Sequence, residues 1–576
     1  MARRAGAARG DSEAGGRRDP GEPAAGAGLR PDRAPPPATG DTSGVDAWYL
    51  TAAERGNPWT AIDRPHGPAG AWSTANAVRP LVHGAAYFAE LLGRVRDLAA
   101  GDLLLFTDWR GDPDERLDGP GTEVARVFGD AARRGVVVKG LVWRSHLDRL
   151  QFSSSENRHL GEALNAAGGE CRLDARVRPG GSHHQKFVVL RHPGRPDHDA
   201  AFVGGIDLCH SRRDDAGHAG DPQRQAMASV YGDRPPWHDI QLLVRGPAVA
   251  DIETVFRERW DDPSPLSRNP VRRLRDRLQL SGRGRPTPLA PMLPAPEPAG
   301  TAAVQLLRTY PLRHPGYPFA RRGERSVARG YLKALRRARA LVYLEDQYFW
   351  SAEVAGSFAA ALAAHPSLHL VAVLPRHPDQ DGRLSEPPNL VGHLAAAATV
   401  LGAAPDRVDF YSIENGDGVP VYVHAKACVI DDVWSCVGSD NFNRRSWTHD
   451  SELGCAVIDD ARDPREPADP GGLGDGARVF ARDLRVGLAR EHLGRAEGDD
   501  RDLIDPAAMV RAFAAGARAL DAWHGGGRRG PRPAGQLRRL APPVLRPRTQ
   551  LWAQSLYRVV YDPDGRSPRM RRRGQF

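Results

Sequence analysis

Two short segments of the chain carry the same arrangement of side chains 240 residues apart. The first is Ser182-His183-His184-Gln185-Lys186-Phe187-Val188-Val189-Leu190, followed by Phe202-Val203-Gly204-Gly205-Ile206-Asp207. The second is Val423-His424-Ala425-Lys426-Ala427-Cys428-Val429-Ile430-Asp431, followed by Val437-Gly438-Ser439-Asp440-Asn441. Each is a His-x-Lys entering an apolar run, then a second apolar run closed by small residues. With 20 histidines and the four lysines Lys139, Lys186, Lys333 and Lys426 in 576 residues, chance supplies about 0.14 His-x-Lys pairs. Asp108 precedes His184 by 76 residues and Asp346 precedes His424 by 78. Near-equal spacing of several features at one period is the mark of an internal duplication.

The flanking pattern agrees. Leu81 to Leu98 has helical apolar spacing and leads into the run Leu103 to Phe106, which ends in Thr107-Asp108-Trp109. A second helix is predicted over 121–134, with a strand from Val136 to Trp143. In the other half a helix over 326–339 leads into Leu341 to Leu344 and ends in Glu345-Asp346-Gln347; a further strand spans Leu370 to Leu374. Short apolar runs alternating with helices predict an α/β layered fold. The expected organisation is a disordered segment over 1–45, a first half over 46–265, a linker over 266–300, a second half over 301–525 and an Arg-rich tail over 526–576.

Charge is unevenly placed. The tail holds thirteen arginines and two aspartates, a net +11, so the body carries −2 of the total +9. A near-neutral body does not predict nucleic-acid binding. The tail is read either as an unstructured solubilising end or as a segment docking on anionic lipid, with Trp552, Leu556, Tyr557, Val559 and Val560 free to pack on the body or enter the interface. No window has the roughly 18 unbroken apolar residues of a membrane span. Arg3 and Arg4 are not followed by the apolar stretch of a secretory signal. The five cysteines, Cys171, Cys209, Cys428, Cys436 and Cys455, form no C-x-x-C. No disulfide framework or structural zinc site is expected from such spacing. The expectation is a reduced, cytoplasmic protein able to sit peripherally on a membrane.

Residues two apart in a strand share a face. His and Lys therefore project together, while Gln185 or Ala425 points away. Two facing pairs supply two imidazoles and two ammonium groups, the equipment for phosphoryl transfer without a metal. One imidazole attacks phosphorus, the other protonates the leaving oxygen, and the lysines neutralise the phosphate oxygens. His183 faces away and reads as a packed histidine. Asp108-Trp109-Arg110-Gly111-Asp112 reads as a strand-end loop lining the pocket rather than a metal site.

These segments resemble the H-x-K-x(4)-D motifs of the phospholipase D superfamily. The second fits in full, with His424, Lys426 and Asp431, then Gly438-Ser439. Gly204 to Cys209, Pro236-Trp237-His238-Asp239, Glu345 to Phe349 and Gly438 to Ser446 are similar to the eukaryotic-type branch, and the resemblance spans roughly residues 78 to 460. It implies two α/β/α sandwich halves related by duplication, with the active site at their interface. It implies a catalytic set of His184, Lys186, His424, Lys426, Asp431, Asp239 and Glu452. Lys186, Lys426, Asn441 and Ser439 would hold phosphate, and Asp207, Asp108 and Asp346 stand nearby. His184 would be the nucleophile and His424 the general acid. Glu452 would orient His424, and Asp239 would orient His184. The first motif departs from the family pattern: Arg191 stands in place of its Asp, and Asp207 stands where the second half has Asn441.

The resemblance implies hydrolysis of a glycerophospholipid to phosphatidic acid and head-group alcohol through a phosphohistidine, with transphosphatidylation where an alcohol replaces water. No cofactor or metal is expected. The partners are a phospholipid at a membrane surface and water or an alcohol; the chain is expected to be a monomer, without nucleic acid. The alternatives are a cardiolipin-synthase-like phosphatidyltransferase, a metal-independent nuclease and a catalytically silent lipid-binding scaffold.

Overall fold

Each half of the chain folds its apolar runs into the same seven-strand order. The computed structural model describes residues 44–67, 70–145, 154–267, 269–270, 274, 287–382 and 385–576. The expected disordered segment over 1–45 lies outside the described residues except for its last two, and so does much of the linker over 266–300. The first half contributes β1 (Ser73–Val82), β2 (Leu103–Asp108), β3 (Val137–Trp143), β4 (Glu170–Asp174), β5 (Phe187–Arg191), β6 (Ala200–Gly204), β7 (Trp237–His238) and β8 (Ile240–Arg245). The second contributes β9 (Ala302–Tyr310), β10 (Glu324–Arg325), β11 (Leu341–Asp346), β12 (His369–Val373), β13 (Val408–Ile413), β14 (Tyr422–Val423), β15 (Lys426–Ile430), β16 (Trp434–Gly438) and β17 (Glu452–Asp459).

The order β1-β8-β6-β5-β2-β3-β4 in one half repeats as β9-β17-β16-β15-β11-β12-β13 in the other. The sense of every pairing repeats too: β2-β3-β4 and β11-β12-β13 are parallel, and the rest of each path is antiparallel. The two paths join through β1 and β9 at Ser73↔Val304 and Asn76↔Ala302. The duplication read from motif spacing is thus a duplication of topology.

Helices cover both faces, so strands such as β2 and β11 are buried throughout and read as unbroken apolar runs. Alternation within them sorts the side chains. Leu103 and Leu105 of β2, and Tyr343 of β11, enter a core shared with the helices Ala248–Trp260, Val479–His492 and Pro506–Gly525. Leu104 and Phe106 face Gly84–Asp97, Val124–Arg133 and Ser154–Ala166 in one outer layer. Val342 and Leu344 face Ser326–Arg337, Ala352–Ala364 and Glu386–Ala403 in the other. This is the expected two-half α/β/α fold. The helix predicted over 81–98 begins later, at Gly84, because Leu81 and Val82 pair with Gln241 and Ile240 as the end of β1. The five cysteines are buried free thiols.

Two boundaries differ from those expected. Residues assigned to the start of the first half pack on the second: Trp48, Tyr49 and Leu50 share its outer core, and the Tyr49 hydroxyl donates to the carbonyls of Ala303 and Ala456. Arg55 is buried against Glu324 at 3.1 Å and the Leu306 carbonyl at 2.8 Å. The Arg-rich tail is ordered. Its strand β18 (Leu537–Arg539) extends the sheet beside β13. Tyr557 then packs with Trp350 and Val391, and Phe576 lies against Trp447. Asp562 is buried, accepting from the Arg445 amide and the Tyr557 hydroxyl, each at 2.7 Å. Arginines in the tail find carboxylates on the body, such as Arg538 with Glu414 at 2.8 Å and Arg566 with Glu353. Of the alternatives left open for the tail, packing on the body is the one seen for Tyr557, reinforced by ion pairs that composition does not reveal.

Truncation after Leu556 is expected to lower unfolding free energy by at least about 3 kcal/mol, from the lost Tyr557 burial and Asp562 hydrogen bonds. Chemical denaturation followed by tryptophan fluorescence measures it; an unchanged midpoint would show the tail to be bound without consequence.

Candidate functional site

The segments leading into β5 and β15 enter the interface between the halves at the His-x-Lys positions. Each is sewn to a strand of the opposite half. His183 bridges to Ser451, and the His184 amide donates to the Ser451 carbonyl at 2.9 Å. Reciprocally, β14 pairs in parallel with β7, and the His424 amide donates to the His238 carbonyl at 2.7 Å. The residues after these contact points are the acids Glu452 and Asp239.

The acids therefore pair across the halves. His184 Nδ1 lies 2.9 Å from Glu452 Oε2, and His424 Nδ1 lies 2.6 Å from Asp239 Oδ2. This corrects the pairing expected from the sequence, which kept each acid with the histidine of its own half. The reason is topological. Within a half, β17 is separated from β15 by β16, and β8 from β5 by β6, so each acid starts two strand spacings, about 10 Å, from its own half's histidine strand. The opposite half supplies the nearer acid. Glu452 is itself held by the Ser439 hydroxyl at 2.5 Å. Ser439, expected to bind phosphate, is committed to that carboxylate and acts on His184 through it. At the equivalent place Gly205 makes room: a Cβ there would sit 2.2 Å from Asp239 Oδ1.

The lysines share the site. Lys186 Nζ donates to the His184 carbonyl at 2.9 Å and lies 3.5 Å from Asp207 Oδ1; Lys426 Nζ donates to the His424 carbonyl and to Gln347 Oε1 at 3.0 Å. Both ammonium charges act on both imidazoles, and with burial they hold His184 and His424 well below the ordinary histidine range. Burial drives Lys426 down to about 8. The other two lysines are tied elsewhere, Lys139 to Glu170 and Lys333 to Glu54.

Asp207 does not place an uncompensated charge beside the lysines. Burial and the neighbouring Asp207 raise Asp108 well above the carboxylate range, while Lys186 holds Asp207 ionised. Asp108 is further anchored by the Leu208 amide at 2.9 Å. Asp346, the counterpart of Asp108, is pushed up to about 8 by burial and accepts from the amides of Tyr348 and Phe442. Asn441 is buried with its Oδ1 unbonded.

Asp431 stands apart. It lies at the far end of β15 and accepts from the amides of Arg339, Ala340 and Leu341 at 2.7, 2.9 and 2.8 Å. It fixes the start of β11 and does not reach the imidazoles, a correction to its place in the expected catalytic set. Five residues of extended chain, about 17 Å, separate it from Lys426. Arg191, in its place in the first half, is equally buried and pairs with Asp199 at 2.8 Å and Glu253 at 2.5 Å. Arg191 thus ties the β5–β6 loop to the helix Ala248–Trp260, a different set of contacts from the backbone amides that Asp431 holds. His183 is fully buried beside Gln185, as a packed histidine should be. The loop after Asp108 is tied by Arg110 to Asp112 at 3.0 Å.

Sequence reasoning missed Arg212. Its guanidinium lies 3.8 Å from the Trp237 ring centroid, and Trp237 in turn flanks His424 with ring centroids 4.9 Å apart. Nothing periodic marks Arg212. Gln347 was legible as part of the polar end of β11, without its bond to Lys426.

The sequence model described as phospholipase D matches residues 169–272, and that described as cardiolipin synthase, PLD-like domain, matches residues 400–463. One match contains each His-x-Lys. The chain belongs to the phospholipase D superfamily. It is 25% identical to phospholipase D alpha 2 of Oryza sativa subsp. japonica over 522 residues, 69% of this chain and 62% of that one. It is 23% identical to phospholipase D alpha 4 of Arabidopsis thaliana over 419 residues, 57% of this chain and 53% of that one. The chain thus spans between half and two thirds of the length of these phospholipase D relatives. The crystal structure of phosphatidylserine synthase from Haemophilus influenzae Rd KW20 aligns with a TM-score of 0.47 at 13% identity, over 67% of this chain and 84% of that one.

Asp431→Ala should cost about 2–4 kcal/mol of stability, because three amides lose their acceptor. Its turnover per folded molecule should stay within about twofold of the wild type. Denaturation and active-site-normalised kinetics separate the two effects; a large loss of turnover with stability intact would return Asp431 to the chemistry.

Proposed function

We propose that the chain is a phospholipase D-type phosphodiesterase acting on a glycerophospholipid such as phosphatidylcholine or phosphatidylethanolamine. The observation that carries the reading is the pair of imidazoles whose Nδ1 atoms are each anchored by a buried carboxylate, with Nε2 unbonded among the described residues. A carboxylate on Nδ1 keeps that proton in place and leaves Nε2 for chemistry.

In this reading His184 Nε2 attacks phosphorus, forming a P–N bond as the bond to the head-group oxygen breaks. His424 delivers its Nε2 proton to that oxygen, and the alcohol leaves. His424 then takes a proton from water, whose oxygen attacks phosphorus; the P–N bond breaks and phosphatidic acid is released. An alcohol in place of water gives the exchanged phospholipid. Lys186, Lys426 and the Asn441 amide hold the phosphate oxygens. The two charges suit an oxyanion whose negative charge grows in the transition state. The likeness of residues 400–463 to a cardiolipin synthase domain favours keeping phosphatidyl transfer to an alcohol as the second reading. A membrane-peripheral location is supported by exposed Leu551, Trp552, Val559 and Val560 close in sequence to Arg546, Arg548 and Arg558 of the tail.

Proton bookkeeping predicts the pH profile. Burial, then Asp450, pushes Glu452 up to about 8, and burial raises Asp239 to about 6. Between these values the site holds one extra proton, on the His184–Glu452 pair, and catalysis needs it moved to the His424–Asp239 pair, so that His424 is the acid and His184 the nucleophile. Below about 6 both pairs hold an extra proton and no nucleophile is free; above about 8 neither does and no acid remains. The profile of kcat/KM should be a bell with limbs near these values, and Asp239→Asn should displace one limb. A profile flat from pH 5 to 9, roughly the range in which such pairs titrate, would contradict this.

The direct test supplies phosphatidylcholine vesicles and, in parallel, single-stranded DNA, without added metal. Choline release is expected, reduced at least about 1000-fold in His184→Ala and His424→Ala. DNA cleavage without choline release would move the chain to the nuclease reading.

A further inference from the structure

Behind the His424–Asp239 pair lies a second cluster of ionisable side chains that the proposed chemistry does not use. His83 ends the segment after β1, His218 lies in the loop before β7, His238 belongs to β7, and Glu491 sits in the last turn of the helix Val479–His492. His83 Nε2, His218 Nε2 and His238 Nδ1 lie 2.9, 3.6 and 3.8 Å from the same oxygen, Glu491 Oε1. The four donor atoms are mutually within 4.8 Å.

We propose that this cluster is a structural zinc site, with His83, His218, His238 and Glu491 as its ligands. Four ligands at about 2.0–2.1 Å from one ion stand about 3.3 Å apart at the corners of a tetrahedron. The observed separations from Glu491 bracket that spacing. Three imidazoles and one carboxylate are a donor set that suits Zn²⁺.

The polar bookkeeping favours an ion. His218 is fully buried, yet neither ring nitrogen has a hydrogen bond; Nδ1 stands 3.6 Å from Asp214 and Nε2 3.6 Å from Glu491. Both distances are too long for hydrogen bonds. A ring so placed suits a ligand whose second nitrogen faces an outer carboxylate. His238 shows that outer arrangement closely: its Nε2 lies 2.5 Å from Glu345, whose carboxylate also meets the Tyr343 hydroxyl and His492 Nε2. Metal-bound histidines commonly anchor their other nitrogen on a carboxylate in this way. The backbones of His83 and His218 have φ of 70° and 52°, in the left-handed region that bulky residues rarely occupy. Both rings are thereby aimed into the cluster.

The ion would join the halves, since three ligands come from the first and Glu491 from the second. It would also steady β7, whose His238 carbonyl receives the His424 amide and whose next residue is Asp239. It touches no reacting atom, so it leaves the phosphoryl chemistry metal-free.

The test uses full-length protein without an affinity tag, purified without chelator. Elemental analysis should find about one zinc per chain, and X-ray absorption should show imidazole and oxygen ligands in a four-coordinate site. Zinc content should be lost in His218→Ala and in His83→Ala, and kept in the control His369→Ala. Chelation should lower the melting temperature by several degrees, and added Zn²⁺ should restore it. If His218→Ala does not fold, competition between wild-type protein and a chromogenic chelator for Zn²⁺ decides the matter. Wild-type protein with no stoichiometric zinc, and no uptake when Zn²⁺ is supplied, overturns the proposal; the cluster would then be a histidinium held between Asp214 and Glu491.

Discussion

Each imidazole of the site takes its orientation from a carboxylate of the opposite half, and much of the architecture serves to make that possible. A buried carboxylate is costly unless it is paired. Glu452 and Asp239 are buried where histidine Nδ1 from across the interface meets them. Neither half alone holds an oriented histidine. The duplication therefore could not be divided into two independent catalytic modules, and the sheet running unbroken through β1 and β9 is consistent with that dependence.

The same electrostatic logic explains the residues that depart from the simple repeat. Asp207 stands where the second half has an asparagine but sits 3.5 Å from Lys186 Nζ, so the site does not gain an isolated negative charge. Arg191 replaces an aspartate but finds Asp199 and Glu253. In both places the substituted charge meets an opposite charge, Lys186 for Asp207 and two carboxylates for Arg191. The proposed zinc cluster follows the rule in another form, collecting histidines around one carboxylate directly behind β7.

Much of this was legible in the chain. The alternating apolar runs gave the strands, because strands buried on both faces must be apolar throughout. The His-x-Lys pairs gave the site, because period-two geometry leaves them no choice but to project together. For the tail, the sequence leaves an unstructured end, lipid docking and packing on the body all open, because the partners of Tyr557 and Asp562 lie far away in sequence.

What the sequence alone determined was thus local: which residues form strands, which side chains share a face, and that the pattern occurs twice. Partnership across the halves was decided by tertiary structure. Asp239 and Glu452 were each expected beside the histidine of their own half, and strand order shows that an intervening strand separates each from it. His83, His218, His238 and Glu491 span 408 residues with no ligand-like spacing. Short motifs record contacts made along one strand or turn. Contacts made by folding distant segments together leave no such period, and only the assembled sheet brings them into view.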